Sequence, residues 1–209
     1  MRILITGGAG FVGASLALAL TRGGHEVVAL DNLHRSGSEL NLPRLREAGV
    51  EFVHGDVRVP ADLDGVGAID ALVECSAEPS ALAGVDGAVD YVIDTNLTGA
   101  INCLELARRT GAALVFLSTS RVYPVRALEQ VAYEETDTRF EIAPDQSLPG
   151  VTPAGIAESF PLEGARTLYG STKLAAELLI AEYAESFGVR AVIVLNYASQ
   201  LLTLAGFYS

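Results

Sequence analysis

The feature that most constrains this chain is a loop. Behind the apolar run Ile3-Leu4-Ile5 stands TGGAGFVG, residues Thr6 to Gly13, with four glycines in eight positions. Glycine loses more conformational freedom on folding than any other residue, so such a run needs a physical reason. Placed between a buried strand and a helix, it reads as the first turn of a parallel α/β sheet.

The rest of the chain keeps that rhythm. Apolar runs at 2–6, 26–30, 51–54, 69–75, 113–119 and 190–195 read as strands, and 11–22, 40–48, 86–109 and 169–187 as helices. Strands that are apolar throughout and alternate with helices imply a parallel sheet covered on both faces. Right-handed crossovers then give a doubly wound Rossmann sheet. Residues 124–166 interrupt the pattern with five prolines (124, 144, 149, 153 and 161) and no clear period. An irregular insertion of that length is usually functional or mobile. The expected organisation is one dinucleotide-binding domain over 1–196 and a short, truncated or divergent segment over 197–209.

Composition excludes several classes. The net charge of -12 repels nucleic acid and anionic membrane surfaces. Cys75 and Cys103 lie in apolar stretches without metal spacing, as buried thiols of a reducing compartment do. His25, His34 and His54 are scattered, so no metal is expected. The first twenty residues have the charge and apolarity of a signal peptide, but their glycines fit strand, turn and helix better. No apolar stretch is long enough to span a membrane, and a cytoplasmic protein is expected.

A glycine turn at the head of such a sheet faces the crevice where dinucleotides bind. Gly7 permits the tight turn, Gly10 lets a pyrophosphate approach the backbone, and Gly13 lets the helix pack close to the sheet. The string fits a second register, Gly8/Gly10/Gly13, equally well. The helix N-terminus then offers N–H groups to phosphate charge. Asp31 follows Gly13 by 18 residues, at the end of the second strand. An acid there accepts hydrogen bonds from ribose hydroxyls and repels a 2′-phosphate, which favours NAD over NADP. Arg35 nearby keeps NADP open. Asp56, in HGDV, ends the third strand; it reads as a contact to the adenine amino group or as a turn residue after Gly55.

The second constellation is LYGSTK. Tyr169 and Lys173, at i and i+4, share one helix face. A tyrosine is a poor base at neutral pH, and a neighbouring ammonium lowers its pKa. The pair therefore suits acid–base work in an alcohol–ketone interconversion. Ser118, Thr119 and Ser120, in LSTSRVY, offer a hydroxyl at the end of the fifth strand to hold the reacting oxygen.

Taken in order, TGGAGFVG, DNLHRSG, HGDV, NLTGAINCLELAR, STSRVY and YGSTK resemble the extended short-chain dehydrogenase/reductases, the NAD-dependent epimerase/dehydratase family. The likeness covers residues 1 to about 195. DNLHRSGSELNLPRLR, YEETDTRFE and GIAESFPLEGARTLYGSTKLAAELL, with the long insertion, resemble its CDP-paratose/CDP-tyvelose 2-epimerase subgroup. The resemblance implies Thr119, Tyr169 and Lys173 as catalytic residues. It implies a cofactor-binding set of Gly7, Gly10, Phe11, Val12, Gly13, Asp31, Asn32, Asp56, Val57, Ser76 and Ala77, joined by Tyr169 and Lys173.

The activity so implied inverts a nucleotide-sugar carbon, on a CDP-sugar by preference, through a transient ketone with NAD retained. Dehydratases of the family place an Asp-Glu pair after the catalytic Thr; here Ser120 and Arg121 follow Thr119, which argues against that reaction. Glu74 and Glu78 stand where relatives often carry His and Gln, so Glu78 must turn away from a cofactor diphosphate. Pro124 replaces a usual Gly. The resemblance lapses after RAVIVL, so the substrate domain is expected to be largely missing. A homodimer through 86–109 and 169–187 is also implied. Two alternatives stay open: a non-catalytic NAD-binding module or truncated paralogue, and an NAD(P)-dependent reductase of a small ketone.

Overall fold

The computed structural model describes residues 1–80, 82–85 and 87–196. In chain order its elements are β1 (Arg2–Thr6), α1 (Phe11–Arg22), β2 (Glu26–Asp31), α2 (Leu42–Glu47), β3 (Glu51–His54), α3 (Pro60–Asp64) and β4 (Ala71–Glu74). Then come α4 (Val89–Ile93), α5 (Gly99–Thr110), β5 (Ala113–Thr119), α6 (Val125–Leu128), β6 (Tyr133–Glu135), β7 (Phe140–Ile142), β8 (Val151–Thr152), β9 (Gly155–Ile156), α7 (Leu168–Phe187) and β10 (Ala191–Asn196).

Six strands form one sheet in the order β10-β5-β4-β1-β2-β3, and every neighbouring pair in it is parallel. This is the doubly wound sheet the apolar runs imply. Because side chains alternate across a strand, each strand feeds two cores. Leu4, Val28, Leu30, Leu72, Leu114 and Phe116 pack on one face with α5 and α7. Ile3, Ile5, Val27, Ala29 and Val73 pack on the other with α1 and Leu45 of α2. The strand order reverses between β1 and β4, so a crevice opens at their C-terminal ends.

Three details differ from the sequence reading. The fourth strand is shorter than 69–75, spanning Ala71–Glu74. The helix expected over 86–109 is composite: α4 starts at Val89, and a π-helical turn over Asp94–Thr98 joins it to α5. Such bulges inside helices cluster at functional sites. The insertion 124–166 carries α6 and two short antiparallel hairpins, β6-β7 and β8-β9. Its Val151 and Phe160 pack with Val122 and Tyr123, just before it, in a small cluster, with Tyr123 edge-on to Phe160. The segment 197–209 lies outside the described residues. Among the described residues no helix is long and apolar enough to cross a membrane.

Candidate active site

The glycine loop is built by sterics. Gly7 adopts φ +63, and a Cβ there would stand 2.9 Å from the backbone of Cys75 and Ser76. Gly13 lets α1 close onto the loop, since a Cβ would lie 2.2 Å from the Gly7 carbonyl oxygen. Gly8 serves another purpose: its N–H donates to Leu30 O at 3.0 Å, and a Cβ would meet Ala29 Cα at 2.7 Å. Of the two registers, Gly7/Gly10/Gly13 is the one that lines the cleft. Asn41 fastens the loop from outside, its Nδ2 donating to Ala9 O at 2.6 Å.

The cleft has a volume of about 660 Å³ and runs along the strand ends. Its floor includes the glycine loop with Phe11 and Val12, then Asp31, Asn32 and Val57. Ser76 and Ala77 line its middle, and Tyr169 and Lys173 its far end. His34, Arg35, Tyr91 and Thr95 also face it.

Asp31 is 8% exposed. Its Oδ2 accepts from Ala9 N–H at 3.0 Å and its Oδ1 from Leu33 N–H at 2.8 Å. Each carboxylate oxygen can accept again, so the acid holds its own loop and keeps acceptor capacity toward the cleft. Leu33 beside it adopts φ +54, a conformation costly for a side-chain-bearing residue. Of the two readings for Asp56, the structure has the turn residue: its Oδ1 accepts from Arg58 N–H and its carbonyl from Val59 N–H, both at 2.9 Å. Arg58 grips it through Nε at 2.9 Å and Nη2 at 2.6 Å, and Asn32 Nδ2 donates at 2.9 Å. These bonds hold its carboxyl well below the usual 3.8, the Arg58 pair contributing most. Asp56 braces Asn32 and is not part of the cleft lining. Glu78 lines the cleft rather than leaving it, and its Oε1 accepts from Ser80 N–H at 3.0 Å.

At the far end, α7 docks tightly. A Cβ on Gly170 would stand 2.0 Å from Arg121 O, so only glycine brings the helix start this near the exit of β5. Thr167 caps the helix, accepting from Gly170 N–H at 3.1 Å. The Tyr169 phenol thereby comes under the influence of the Thr119 hydroxyl, which favours its anion. Burial pushes that phenol above its ordinary 10; the Thr119 hydroxyl pulls it down, Glu74 pushes it up, and Arg121 pulls it down. Ser118 lines the cleft and donates to Glu177.

Lys173 departs from the expectation that its ammonium lowers Tyr169. It is 2% exposed, pairs with Glu74 Oε2 at 3.4 Å, and lies 3.9 Å from the Phe116 ring centroid. Its charge is committed to Glu74, whose other oxygen accepts from Ser76 Oγ at 2.5 Å.

Sequence reasoning passed over two buried groups. Asn96, in the π-helical turn, pins the β4–α4 loop: its Oδ1 accepts from Glu78 N–H at 2.7 Å, and its Nδ2 donates to Glu78 O at 3.1 Å. An Asn on the apolar face of a helical pattern was the available signal. Thr95, next to it, is 7% exposed, and its hydroxyl has no hydrogen-bond partner among the described residues.

The fold and this cleft define a dinucleotide-binding α/β domain of the Rossmann type. Comparison with known proteins carries the assignment further: residues 3–198 match the NAD dependent epimerase/dehydratase family, and the chain belongs to it. It is 33% identical over 200 residues to CDP-paratose 2-epimerase of Salmonella typhi, covering 92% of this chain and 56% of that protein. It is 32% identical over 200 residues to dTDP-glucose 4,6-dehydratase of Mycolicibacterium smegmatis, covering 92% and 52%. Among solved structures it is similar to Pal from Bacillus thuringiensis, with a TM-score of 0.73 at 26% identity over 93% of this chain and 55% of that one. The chain thus spans about half the length of these three relatives.

The family is NAD dependent, and the residues present fit that cofactor. A Cβ on Gly10 would meet only the Gly7 carbonyl oxygen, at 3.1 Å, so the loop is open on its cleft side. No side chain caps α1, which leaves first-turn N–H groups for an anion. Thr95 lines the same space, and its buried hydroxyl has no hydrogen-bond partner among the described residues, a group of the kind that calls for a ligand or water.

Proposed function

We propose that this chain is the NAD-binding half of a nucleotide-sugar epimerase of the 2-epimerase kind, taking a CDP-sugar by preference. The observation that carries this reading is the one cleft that joins the glycine loop and Asp31 to Tyr169 and Lys173.

NAD, when bound, supplies reversible hydride transfer. The chain's residues supply placement and proton movement. Gly10 and the start of α1 receive the diphosphate, and Asp31 accepts the adenosine ribose hydroxyls. Tyr169 moves the proton of the sugar hydroxyl, and Thr119 holds that oxygen beside the phenol. In the free protein Tyr169 stands as the neutral phenol, because burial outweighs the groups that favour its anion. It is therefore set to donate a proton when the ketone is reduced. Ser120 and Arg121 follow Thr119, and neither is an acid that could protonate a leaving hydroxyl. That supports epimerisation over dehydration. Lys173 is proposed as a contact to the cofactor ribose, and a homodimer through α4–α5 and α7 goes with the same reading.

The test is turnover of CDP-sugars by the chain with NAD, beside Tyr169→Phe. The expected result is loss of turnover in the variant, by a factor of ~100 or more, with NAD affinity unchanged. Turnover indifferent to the substitution would overturn the assignment. NAD binding with no turnover of any nucleotide sugar would favour a binding module.

A further inference from the structure

Two aromatic rings meet across the cleft at its Asp31 end. The ring centroid of His34, in the loop after β2, lies 4.9 Å from that of Tyr91, on α4. Both side chains line the cleft. In the sheet β1 stands between β2 and β4, so the glycine loop that leaves β1 lies between the two banks the rings come from. The banks also belong to different layers. The loop after β2 leads to α2, whose Leu45 packs with Ile3 and Val27. By contrast, α4 runs on through the π-helical turn into α5, on the opposite face of the sheet. The contact therefore spans the crevice from one helical layer to the other.

Each arm is braced, and one carboxylate braces both. Leu33 is held at φ +54, with its N–H on Asp31 Oδ1 at 2.8 Å. Strain of this kind persists only where the surroundings over-determine it, and it gathers at ligand clamps. The His34 N–H donates to Asn32 Oδ1 at 3.0 Å, and Asn32 Nδ2 donates to Asp56 at 2.9 Å. On the other arm, the Arg58 guanidinium carbon stands 5.3 Å from the Tyr91 ring centroid. Asp56 holds that guanidinium too, through Nε at 2.9 Å and Nη2 at 2.6 Å. We propose that His34 and Tyr91 form an aromatic strap over the adenosine end of the cleft, which opens to admit the dinucleotide and closes to hold it. Rings this close already pair with each other and leave no slot for an adenine between them, so they close the cleft rather than clasp a base. A contact of this kind is weak enough to open and strong enough to slow exchange. The strap's use rests on the proposed reaction: the sugar ketone is reduced only if the cofactor that took its hydride stays in place.

The test needs no turnover. It follows NADH fluorescence by stopped flow on the full chain: association by mixing chain with NADH, release by chasing the NADH complex with excess NAD. Tyr91→Ala and His34→Ala are each expected to speed both steps by about 2- to 10-fold, the range of one aromatic contact, and to leave Kd within about 2-fold of the parent's. The double variant is expected to go no further than Tyr91→Ala alone, because the two residues share one contact. Tyr91→Phe keeps the ring and is expected to keep the parent's rates. Far-ultraviolet circular dichroism checks each fold; if Tyr91→Ala fails to fold, His34→Ala decides, since His34 is exposed. Parent-like rates in the alanine variants would overturn the proposal. So would faster release with unchanged association, which makes the rings plain contacts to the cofactor and not a gate. A parent chain that binds no NADH would overturn it as well. Failure of the strap with CDP-sugar turnover intact would leave the proposed function standing, and a working strap without turnover would remove the epimerase reading alone.

Discussion

The two ends of the cleft are built by different physics. At the glycine loop, shape comes from the absence of side chains: Gly7 and Gly13 let backbone lie where a Cβ would collide at 2.9 and 2.2 Å. At the Tyr169 end, shape comes from charges held out of water, with Lys173 and Glu74 only 2% and 1% exposed. Steric requirements are local and absolute. A buried pair depends on a partner far away in sequence, and removing either partner strands the other. The first end should therefore fail by losing its geometry, the second by losing its electrostatics.

The largest expected effect lies at the loop. Gly13→Val should cost more than ~4 kcal/mol or prevent folding, because the contact it creates is with backbone that cannot yield. Gly10→Ala should keep the fold and weaken NAD by ~10-fold or more, since its Cβ meets only the Gly7 oxygen at 3.1 Å and otherwise faces the cleft. Thermal unfolding and calorimetric titration of the two variants separate these outcomes. Equal stability losses would break the division between packing glycine and ligand-facing glycine.

Next comes the buried pair. Glu74→Ala should destabilise by ~3–5 kcal/mol in urea unfolding, because it leaves a buried ammonium unpaired. Replacing Glu74 and Lys173 together by Met should recover most of that loss. A double variant no better than Glu74→Ala would mean that lost packing, rather than the stranded charge, sets the cost. Asp31→Ala should cost ~1–3 kcal/mol, as the Ala9 and Leu33 N–H groups lose their acceptor. It should weaken NAD as well.

The smallest effect concerns pH. Arg58 depresses the Asp56 carboxyl below its usual 3.8, so the folded state binds that proton less readily than the unfolded chain. Its stabilisation is full above that usual value and is lost as pH falls toward the folded value. Asp56→Asn should narrow the stability gap between pH 5 and pH 3 by ~1 kcal/mol, seen as a flatter dependence of the urea midpoint on pH. An unchanged slope would show that other carboxylates govern acid unfolding.

The same contrast explains what could be read in the sequence. Period and breakers placed the six parallel strands closely, because a strand buried on both faces must be apolar throughout. Asp31 was legible because its distance from the glycines is set by one βαβ unit. Tyr169 and Lys173 were legible as neighbours on a helix. The partner of Lys173 was not: Glu74 could be seen as an oddity in VECSAEPS, but one sequence does not say which side chains meet across the sheet. Asp56 was legible as a turn residue, but not its partner: Arg58, two residues on, folds back and takes its carboxylate. The π-helical turn that aims Asn96 at Glu78 showed only as an Asn on the apolar face of a helical pattern, which does not name its partner across the loop.

The account's central claim is that the cleft takes NAD, with Asp31 setting the choice against a 2′-phosphate. Calorimetric titration of the purified chain with NAD and with NADP, after assay for cofactor carried through purification, tests it most directly. The account predicts saturable NAD binding and NADP weaker by ~10-fold or more, the gap closing in Asp31→Ala. A folded chain that binds neither, or that prefers NADP through Arg35, would contradict it.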